Sequence, residues 1–258
     1  MLARPDRRYP GRMAVRTRWT GGRALPDGAR APRRRRRHER EGWARVRPRD
    51  ADRTSVHLQV LESGDVTPDG IRALCASLVE RGVRSVVTNA MGDSDTAPFL
   101  AAGFRVRAQL DLLTRRLDDV PPPGAATRRA RDRAAAVALD HRAFGSDEFD
   151  AAALADALRA TPALRFRVVG PPTAPLGYAI TGAAGHRGYV QRIAVDPDAR
   201  RQGIATALLV DGLRWARRRG ARDAVVNTDR TNRAARALYE AYGFVALPAG
   251  LVVLERAL

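Results

Sequence analysis

The chain has 258 residues, 45% of them hydrophobic and 29% charged, which excludes a peptide, a disulfide-stapled miniprotein and a wholly disordered chain. The formal net charge is +18, but the first fifty residues contribute +12 of it, so the charge belongs mainly to one segment. A single cysteine, Cys75, no zinc-like spacing of histidine and cysteine, and no apolar run of about 18 residues together predict a cytoplasmic, metal-free protein that does not enter a membrane.

The first fifty residues are rich in arginine, including the run Arg33 to Arg37, and show neither helical nor strand periodicity. We predict that residues 1–50 form a disordered basic tail. Two interpretations stay open: an arm that neutralises the phosphates of a nucleic acid or of the ribosome, or a solvated extension, even one created by a wrongly assigned start codon. Contact with nucleic acid is expected only through this tail.

Regular structure is predicted from Val56, where apolar residues alternate with polar ones as in a half-buried strand. Thr67 and Pro68 have the residue types of a helix N-cap and first turn, and the helix they open ends near Gly82. A strand follows at 85–88, then a short helix that ends before Gly103-Phe104, and then a second strand at 110–113. We assign residues 51–119 to a first unit and the proline-rich residues 120–126 to a linker.

The remaining residues, 127–258, predict a second and more complete unit. Its order is two helices, three strands, a helix, a strand, a helix and two strands, which indicates an α/β fold with a mixed sheet. The predicted ranges are 132–141, 151–160, 164–169, 176–181, 189–195, 202–219, 223–227, 232–242, 244–247 and 251–254.

An internal repeat relates the two units. The strand sequence Val86-Val87-Thr88-Asn89 parallels Val225-Val226-Asn227-Thr228, and the segment from Phe99 to Phe104 parallels that from Tyr239 to Phe244. The offsets are 139 and 140 residues. We interpret the first unit as a duplicate of part of the second, although chance similarity of two strand-helix-glycine-phenylalanine segments is the alternative.

A polar segment between a predicted strand and the long helix has the composition of an anion site. The first N–H groups of a helix lack intrahelical partners and lie at its positive end, so a diphosphate can accept several hydrogen bonds there. Small residues let the backbone approach, and arginines add charge. The residues are Arg200, Arg201, Gln202, Gly203, Ile204 and Ala205, after Asp196-Pro197.

This segment resembles the [Gln/Arg]-x-x-Gly-x-[Gly/Ala] signature of the GNAT (GCN5-related) N-acetyltransferases, and the run from Asn232 to Phe244 resembles their second signature. The resemblance covers residues 127–258. It implies a GNAT fold, with a mixed, mostly antiparallel central sheet flanked by helices. It also implies acetyl-CoA as cofactor and acetyl transfer to a primary amine, of a small molecule or a protein N-terminus.

The resemblance also implies roles for individual residues. The pantetheine arm would pair with the backbone of Ile193, Ala194 and Val195, and the diphosphate would lie on the loop from Arg201 to Thr206. Tyr239 would protonate the departing thiolate, and Asn232 would lie near the cofactor or cap its helix. No general base is assigned, because Asn227 and Gln191 are amides and Asp140, His141 and Glu148 are expected at the surface.

The first unit departs from the family pattern and is predicted to be a degenerate, truncated half of the fold. Aspartates stand at its helix start, in the segment from Gly64 to Gly70, and would repel phosphate. Phe99 replaces Tyr239 and has no proton to donate. The two units are joined by the run Leu-x-x-Leu-x-Arg-x-Leu-x-x-x-Pro-Pro from Leu110 to Pro122, and this tandem arrangement resembles that of the mycothiol synthases, in architecture alone.

Two other functions remain open at this stage. The chain could be a non-catalytic acyl-CoA-binding regulatory module, or a mycothiol-synthase-like acetyltransferase. The sequence predicts neither the acceptor nor the oligomeric state, because loops around the site determine specificity.

Overall fold

The computed structural model describes residues 39–41, 43–49, 52–61, 66–145 and 149–258. Thirteen strands and six α-helices alternate along these residues. In chain order they are β1 Glu39–Glu41, β2 Ala44–Pro48, β3 Ser55–Val60, α1 Pro68–Glu80, β4 Ser85–Thr88, β5 Met91–Gly92, α2 Ala97–Ala101, β6 Arg105–Arg116, β7 Arg128–Arg129, α3 Arg133–Phe144, α4 Ala151–Ala157, β8 Ala163–Val169, β9 Gly177–Ala184, β10 Arg187–Val195, α5 Ile204–Arg218, β11 Asp223–Asp229, α6 Arg233–Ala241, β12 Val245–Ala246 and β13 Leu251–Ala257.

All thirteen strands belong to one open sheet. Eleven follow the order β1-β2-β3-β4-β13-β6-β11-β10-β9-β8-β7, while β5 pairs with β13 and β12 pairs with β6. Only β3/β4 and β10/β11 pair in parallel. The predicted mixed, mostly antiparallel α/β sheet flanked by helices is therefore confirmed.

The two halves of the sheet exchange strands. The strand β6, which follows the first-half elements in sequence, pairs with β11 of the second half, with Leu113 opposite Val226. The strand β13, which follows the second-half elements, pairs with β4 of the first half, with Glu255 opposite Val87. Because β6 and β13 also pair with each other, the segments predicted at 51–119 and 127–258 share one hydrogen-bonded sheet.

The predicted internal repeat has a matching geometry in both halves. In the first, the rings of Phe99 and Phe104 lie 5.4 Å apart, and in the second those of Tyr239 and Phe244 lie 5.6 Å apart. In both, the later aromatic residue donates its N–H to the carbonyl of the earlier one at 3.0 Å. Gly103, with φ 86°, and its counterpart with φ 75° form the left-handed turn between them, which glycine adopts without steric cost.

Hydrophobic burial holds helices against the sheet on both halves. In the first half, α1 packs Ile71, Leu74 and Leu78 against strands β2 to β4. In the second, α5 packs Leu209 and Leu213 on one face. The opposite face is covered by α3 and α4. Burying side chains of this size contributes about 1.5–3 kcal/mol each before entropy is counted.

The structure bears on the predicted end of the basic tail at residue 50 and on the predicted linker at 120–126. Strands β1 and β2 lie inside the segment expected to be a disordered tail, and Ala44 is fully buried, so the boundary at residue 50 was wrong; residues 1–38 lie outside the described residues. The proline-rich linker is anchored, because Val120 is buried and Arg214 donates a hydrogen bond to the Pro121 carbonyl at 3.0 Å.

Three features that the sequence predicts to be absent are a disulfide, a membrane-spanning helix and a metal site. Cys75 is a buried free thiol, and burial raises its pKa. No helix in the described ranges is long and apolar enough to cross a bilayer. Within the same ranges no three potential ligands among histidine, cysteine, aspartate and glutamate come together as a metal site.

Candidate functional site

The site begins where two parallel strands separate. β10 and β11 pair only from Arg187 opposite Asp223 to Val190 opposite Val226. The register between β10 and β9 then shifts between Val190 and Arg192, as at a β-bulge, while β11 continues along β6. A bulge bends a strand, so the end of β10 is paired with β9 alone and an opening lies beside β11.

The backbone of β10 presents unpaired polar groups to this opening. The N–H of Asp196 donates to the Leu176 carbonyl at 2.9 Å, on the β9 side. Successive residues of a strand direct their N–H and C=O groups to opposite sides. The polar backbone groups of Ile193 and Val195 therefore face the opening, where they can pair with an extended ligand.

A tight loop connects β10 to the long helix α5. It contains a single turn of 3-10 helix, Pro197–Ala199, in which the Asp196 side chain accepts from the Asp198 N–H at 3.1 Å. Arg201, with φ 67°, and Gly203, with φ 74°, are both left-handed. Two such residues turn the chain sharply, and the strained Arg201 is the kind of outlier found at ligand sites.

The N-terminus of α5 has no side-chain cap. Gly203 occupies the N-cap position and offers no side-chain oxygen. Among the described residues, nothing accepts a hydrogen bond from the N–H groups of Ile204, Ala205 or Thr206, and the first helical bond runs from Ala207 to Gly203. Together with the helix dipole, these donors form a site for an anion.

Positive charge surrounds this helix start. Arg200, Arg201 and Gln202 are exposed, and Arg200 also donates to the Ala143 carbonyl at 2.9 Å. The Asp196 carboxylate is paired with Arg142 at 2.9 Å, and that hydrogen bond lowers the pKa of Asp196. The predicted loop residues thus lie together, next to the predicted strand residues.

Tyr239 and Asn232 are both on α6. Tyr239 is only 6% exposed, and burial raises its pKa to about 12. No described residue hydrogen-bonds its hydroxyl. Asn232 caps α6, accepting from the Ala235 N–H at 3.1 Å, so its capping role is present in the structure. Tyr239 belongs to the hydrophobic cluster against which Ile193 packs, and its role as proton donor stays a prediction.

The equivalent opening is closed in the first half. There β2 and β3 pair without a bulge, and the Asn89 side chain bridges the gap beyond β4 by accepting from the Val60 N–H at 2.9 Å. The Asn89 N–H also donates to the Leu58 carbonyl at 3.0 Å. At the start of α1, the Thr67 side chain caps the Gly70 N–H, and the Asp69 carboxylate is paired with Arg72 at 2.5 Å. Within the described residues, which do not include 62–65, the first half therefore has neither the open strand edge nor the uncapped helix start of the second half.

A buried ion pair lies beside the opening and was missed from the sequence. Asp140 of α3, expected at the surface, is fully buried and accepts two hydrogen bonds from Arg192, at 2.8 and 2.6 Å. The Tyr178 hydroxyl donates to the same carboxylate. Burial alone would lower the pKa of Arg192, but the bonds to Asp140 raise it above its ordinary value. The expected surface position of Asp140 was therefore wrong.

Arg192 links this pair to the connection between α3 and α4. Its guanidinium lies 4.4 Å from the ring centre of Phe144 and 4.3 Å from that of Phe149. These cation–π contacts hold both ends of the α3–α4 connection against β10. Of the other acid–base candidates, Glu148 lies outside the described residues, and His141 Nε2 is 3.2 Å from the Phe149 carbonyl oxygen. No general base is identified.

Comparison with known proteins identifies relatives of this arrangement. Residues 137–244 match the model of the acetyltransferase (GNAT) family. The chain is 31% identical over 201 residues to a mycothiol acetyltransferase of Thermobispora bispora, and the match covers 66% of either chain, so it spans just under two thirds of that relative.

Solved structures of low sequence identity share the fold. A tandem GNAT protein from the clavulanic acid biosynthesis pathway has a TM-score of 0.59 and 14% identity over 83% of this chain and 78% of that one. A GCN5-related N-acetyltransferase from Kribbella flavida has a TM-score of 0.55 and 16% identity over 85% and 89% of the two chains. These similarities confirm the predicted GNAT fold.

Proposed function

We propose that this chain, whose residues 137–244 match the model of the GNAT acetyltransferase family, transfers the acetyl group of acetyl-CoA to a primary amine. The observation that carries this proposal is the pairing of an open strand edge with an uncapped helix start. Both features occur in the second half, and both are closed in the first half of the same sheet.

The described residues suit the shape and charge of acetyl-CoA. The backbone of Ile193, Ala194 and Val195 would pair with the amide-containing pantetheine arm as an added strand. The N–H groups from Gly203 to Thr206 would hold the diphosphate, with Arg200, Arg201 and Gln202 beside it. When bound, the cofactor supplies a thioester whose acetyl group an amine can attack.

Three groups of the chain would assist the transfer. The Ile193 N–H stabilises negative charge on the acetyl oxygen, because a backbone donor aimed at that position needs no reorganisation. Tyr239, kept protonated by its raised pKa, donates a proton to the departing thiolate. The attacking amine releases its proton to water, and Asn232 fixes the start of α6, on which Tyr239 lies.

The acceptor class is the finer part of the proposal. Similarity to a mycothiol acetyltransferase favours an amine of a small thiol-containing compound over a protein N-terminus, and it is the observation behind a mycothiol-synthase-like alternative. A non-catalytic acyl-CoA-binding module would have the same cofactor contacts without turnover. Chromatographic detection of acetylated product across a panel of thiol-containing amines, small amines without a thiol, aminoglycosides and N-terminal peptides distinguishes these possibilities.

Replacing Ala205 with glutamate is expected to weaken acetyl-CoA binding about 10- to 100-fold. A carboxylate in the first turn favours the helix dipole and so preserves α5, yet it repels a diphosphate at the same N–H groups. Isothermal titration calorimetry with acetyl-CoA measures the change.

The matched control is Ala205→Gln, which has nearly the same size without the charge. It should bind within about threefold of the parent protein at moderate salt, since uncharged side chains do not repel phosphate. If glutamate and glutamine weaken binding equally, steric obstruction and not charge is responsible. If neither variant weakens binding, the diphosphate does not lie at α5.

A further inference from the structure

A separate cavity of about 560 Å³ lies at the outer edge of the sheet, beside β8. In the sheet order β8 is two strands, about 10 Å, away from β10, and the opening described above lies on the far side of β10. Residues from β7, α3, α4 and β8 line it. Six of them are arginines: Arg129, Arg131, Arg133, Arg159, Arg165 and Arg167.

Three of these arginines lack a counter-charge. Arg165 makes a two-point ion pair with Asp211, at 2.6 and 2.8 Å, and Arg159 approaches Asp156 at 3.3 Å. Within the described ranges, Arg129, Arg131 and Arg133 form no ion pair and no side-chain hydrogen bond. Among the described residues the cavity lining therefore carries an excess of positive charge, which favours a ligand with several carboxylates or phosphates.

The backbone of β8 is also unpaired at this cavity. β7 covers only Arg167 and Val168, after which the Ala130 N–H donates to the Phe166 carbonyl at 3.1 Å. Since β8 pairs with β9 without a register shift, alternation turns both polar backbone groups of Leu164 toward the side that β7 leaves open. This short edge offers one donor and one acceptor in the geometry of a β-ladder.

The floor of the cavity is apolar. Leu158, Leu164 and Phe166 line it and are all only partly buried, so they keep accessible hydrophobic surface. An extended chain laid along β8 would place every second side chain over this floor and the others near the arginines.

From these observations we propose that the β8 edge binds an extended acidic peptide of a partner protein, whose backbone pairs with that of Leu164. The backbone carbonyl of Leu164 separates this ligand from a free polyphosphate, because a carbonyl oxygen repels phosphate but accepts a peptide N–H. Apolar side chains on alternate positions would cover Leu158 and Phe166, and carboxylates would pair with Arg129 and Arg131.

Fluorescence anisotropy with a labelled peptide of alternating glutamate and valine tests the proposal on the full chain. Arg131→Gln should weaken binding about tenfold, as expected for one charge-assisted pair, whereas the exposed Arg218→Gln, outside the cavity, should leave it unchanged. Arg129→Glu with Arg131→Glu should bind the matching lysine–valine peptide instead. Acetyl-CoA affinity should stay constant throughout, which separates this site from the proposed active site.

Hydrogen–deuterium exchange distinguishes a strand from a simple anion site. Peptide binding should slow exchange at the Leu164 amide. Any of three results would overturn the proposal. The first is unchanged exchange at the Leu164 amide, and the second is a peptide affinity that neither arginine substitution changes. The third is complete displacement of the peptide by inorganic tripolyphosphate added at the same total negative charge as the peptide.

Discussion

Replacement of Tyr239 with phenylalanine is expected to lower kcat by about 100-fold or more while changing acetyl-CoA affinity by less than about threefold. Loss of a positioned proton donor typically costs 10²- to 10⁴-fold in rate. The substitution removes only the hydroxyl, and no described residue forms a hydrogen bond with it. Acetyl-CoA binding and the packing of the side chain should therefore persist. Steady-state thiol release and calorimetry with acetyl-CoA measure the two quantities.

The first half of the chain provides an internal argument that this variant folds. Phe99 occupies the equivalent position, is 1% exposed and packs on Phe104 at nearly the same ring distance. Unfolding curves of the parent and variant should therefore nearly coincide. Equal turnover by both proteins would remove Tyr239 from the chemistry and assign it to the core alone.

The pH dependence follows from the direction of the Tyr239 shift. Its pKa is raised to about 12, so the donor form persists throughout the range in which an amine acceptor loses its proton. We expect kcat/KM to rise with pH as the acceptor deprotonates and not to fall before about pH 10. A fall near neutral pH would show that another group supplies the proton.

Replacement of Asp140 with asparagine is expected to destabilise the protein by about 2–4 kcal/mol. The substitution keeps the shape of the side chain but leaves the largely buried guanidinium of Arg192 without its counter-charge, and breaking a buried pair typically costs 3–5 kcal/mol. We expect a smaller loss than this typical cost because the Arg192 side chain is 30% exposed, so water partly solvates its charge. Urea unfolding followed by circular dichroism measures the loss.

An exposed ion pair provides the matched control. Asp118 pairs with Arg116 at 2.6 Å, but both side chains are mostly exposed, so Asp118→Asn should leave the urea midpoint of unfolding nearly unchanged. The loss of stability in the double variant Asp140→Asn with Arg192→Gln should be smaller than the sum of the losses in the two single variants. Equal losses for Asp140→Asn and Asp118→Asn would mean that solvent screens Arg192 in both states.

Local patterns allowed much of the second half to be predicted. The strand ending at Val195, the loop to Gly203 and the helices bearing Leu209 and Tyr239 all have periodicity and boundary residues within short stretches. The structure places the loop and strand residues side by side because they are consecutive in the chain. The same holds for α1, whose cap Thr67 was identified from its neighbour Pro68.

Features that depend on distant residues were not predictable in this way. Asp140 and Arg192 are 52 positions apart, and nothing near either residue indicates that they meet. The Asn89 side chain can bridge the gap beyond β4 only because β3 ends opposite it. The exchange of β6 and β13 between the two halves of the sheet depends on the pairing of whole strands. A charged residue on an otherwise apolar stretch of helix, such as Asp140, is the one signal that could have raised suspicion of burial.

The exchange of β6 and β13 constrains how the protein can be synthesised and divided. During translation, β2, β3 and β4 are complete long before β13 is made. The first half therefore has an incomplete sheet while about 160 further residues emerge. For the same reason, cleavage at the proline-rich connection would produce two fragments that each lack a central strand and expose a row of unpaired amides. Neither half is a separable module, even though the proposed acetyl-CoA site belongs to only one of them.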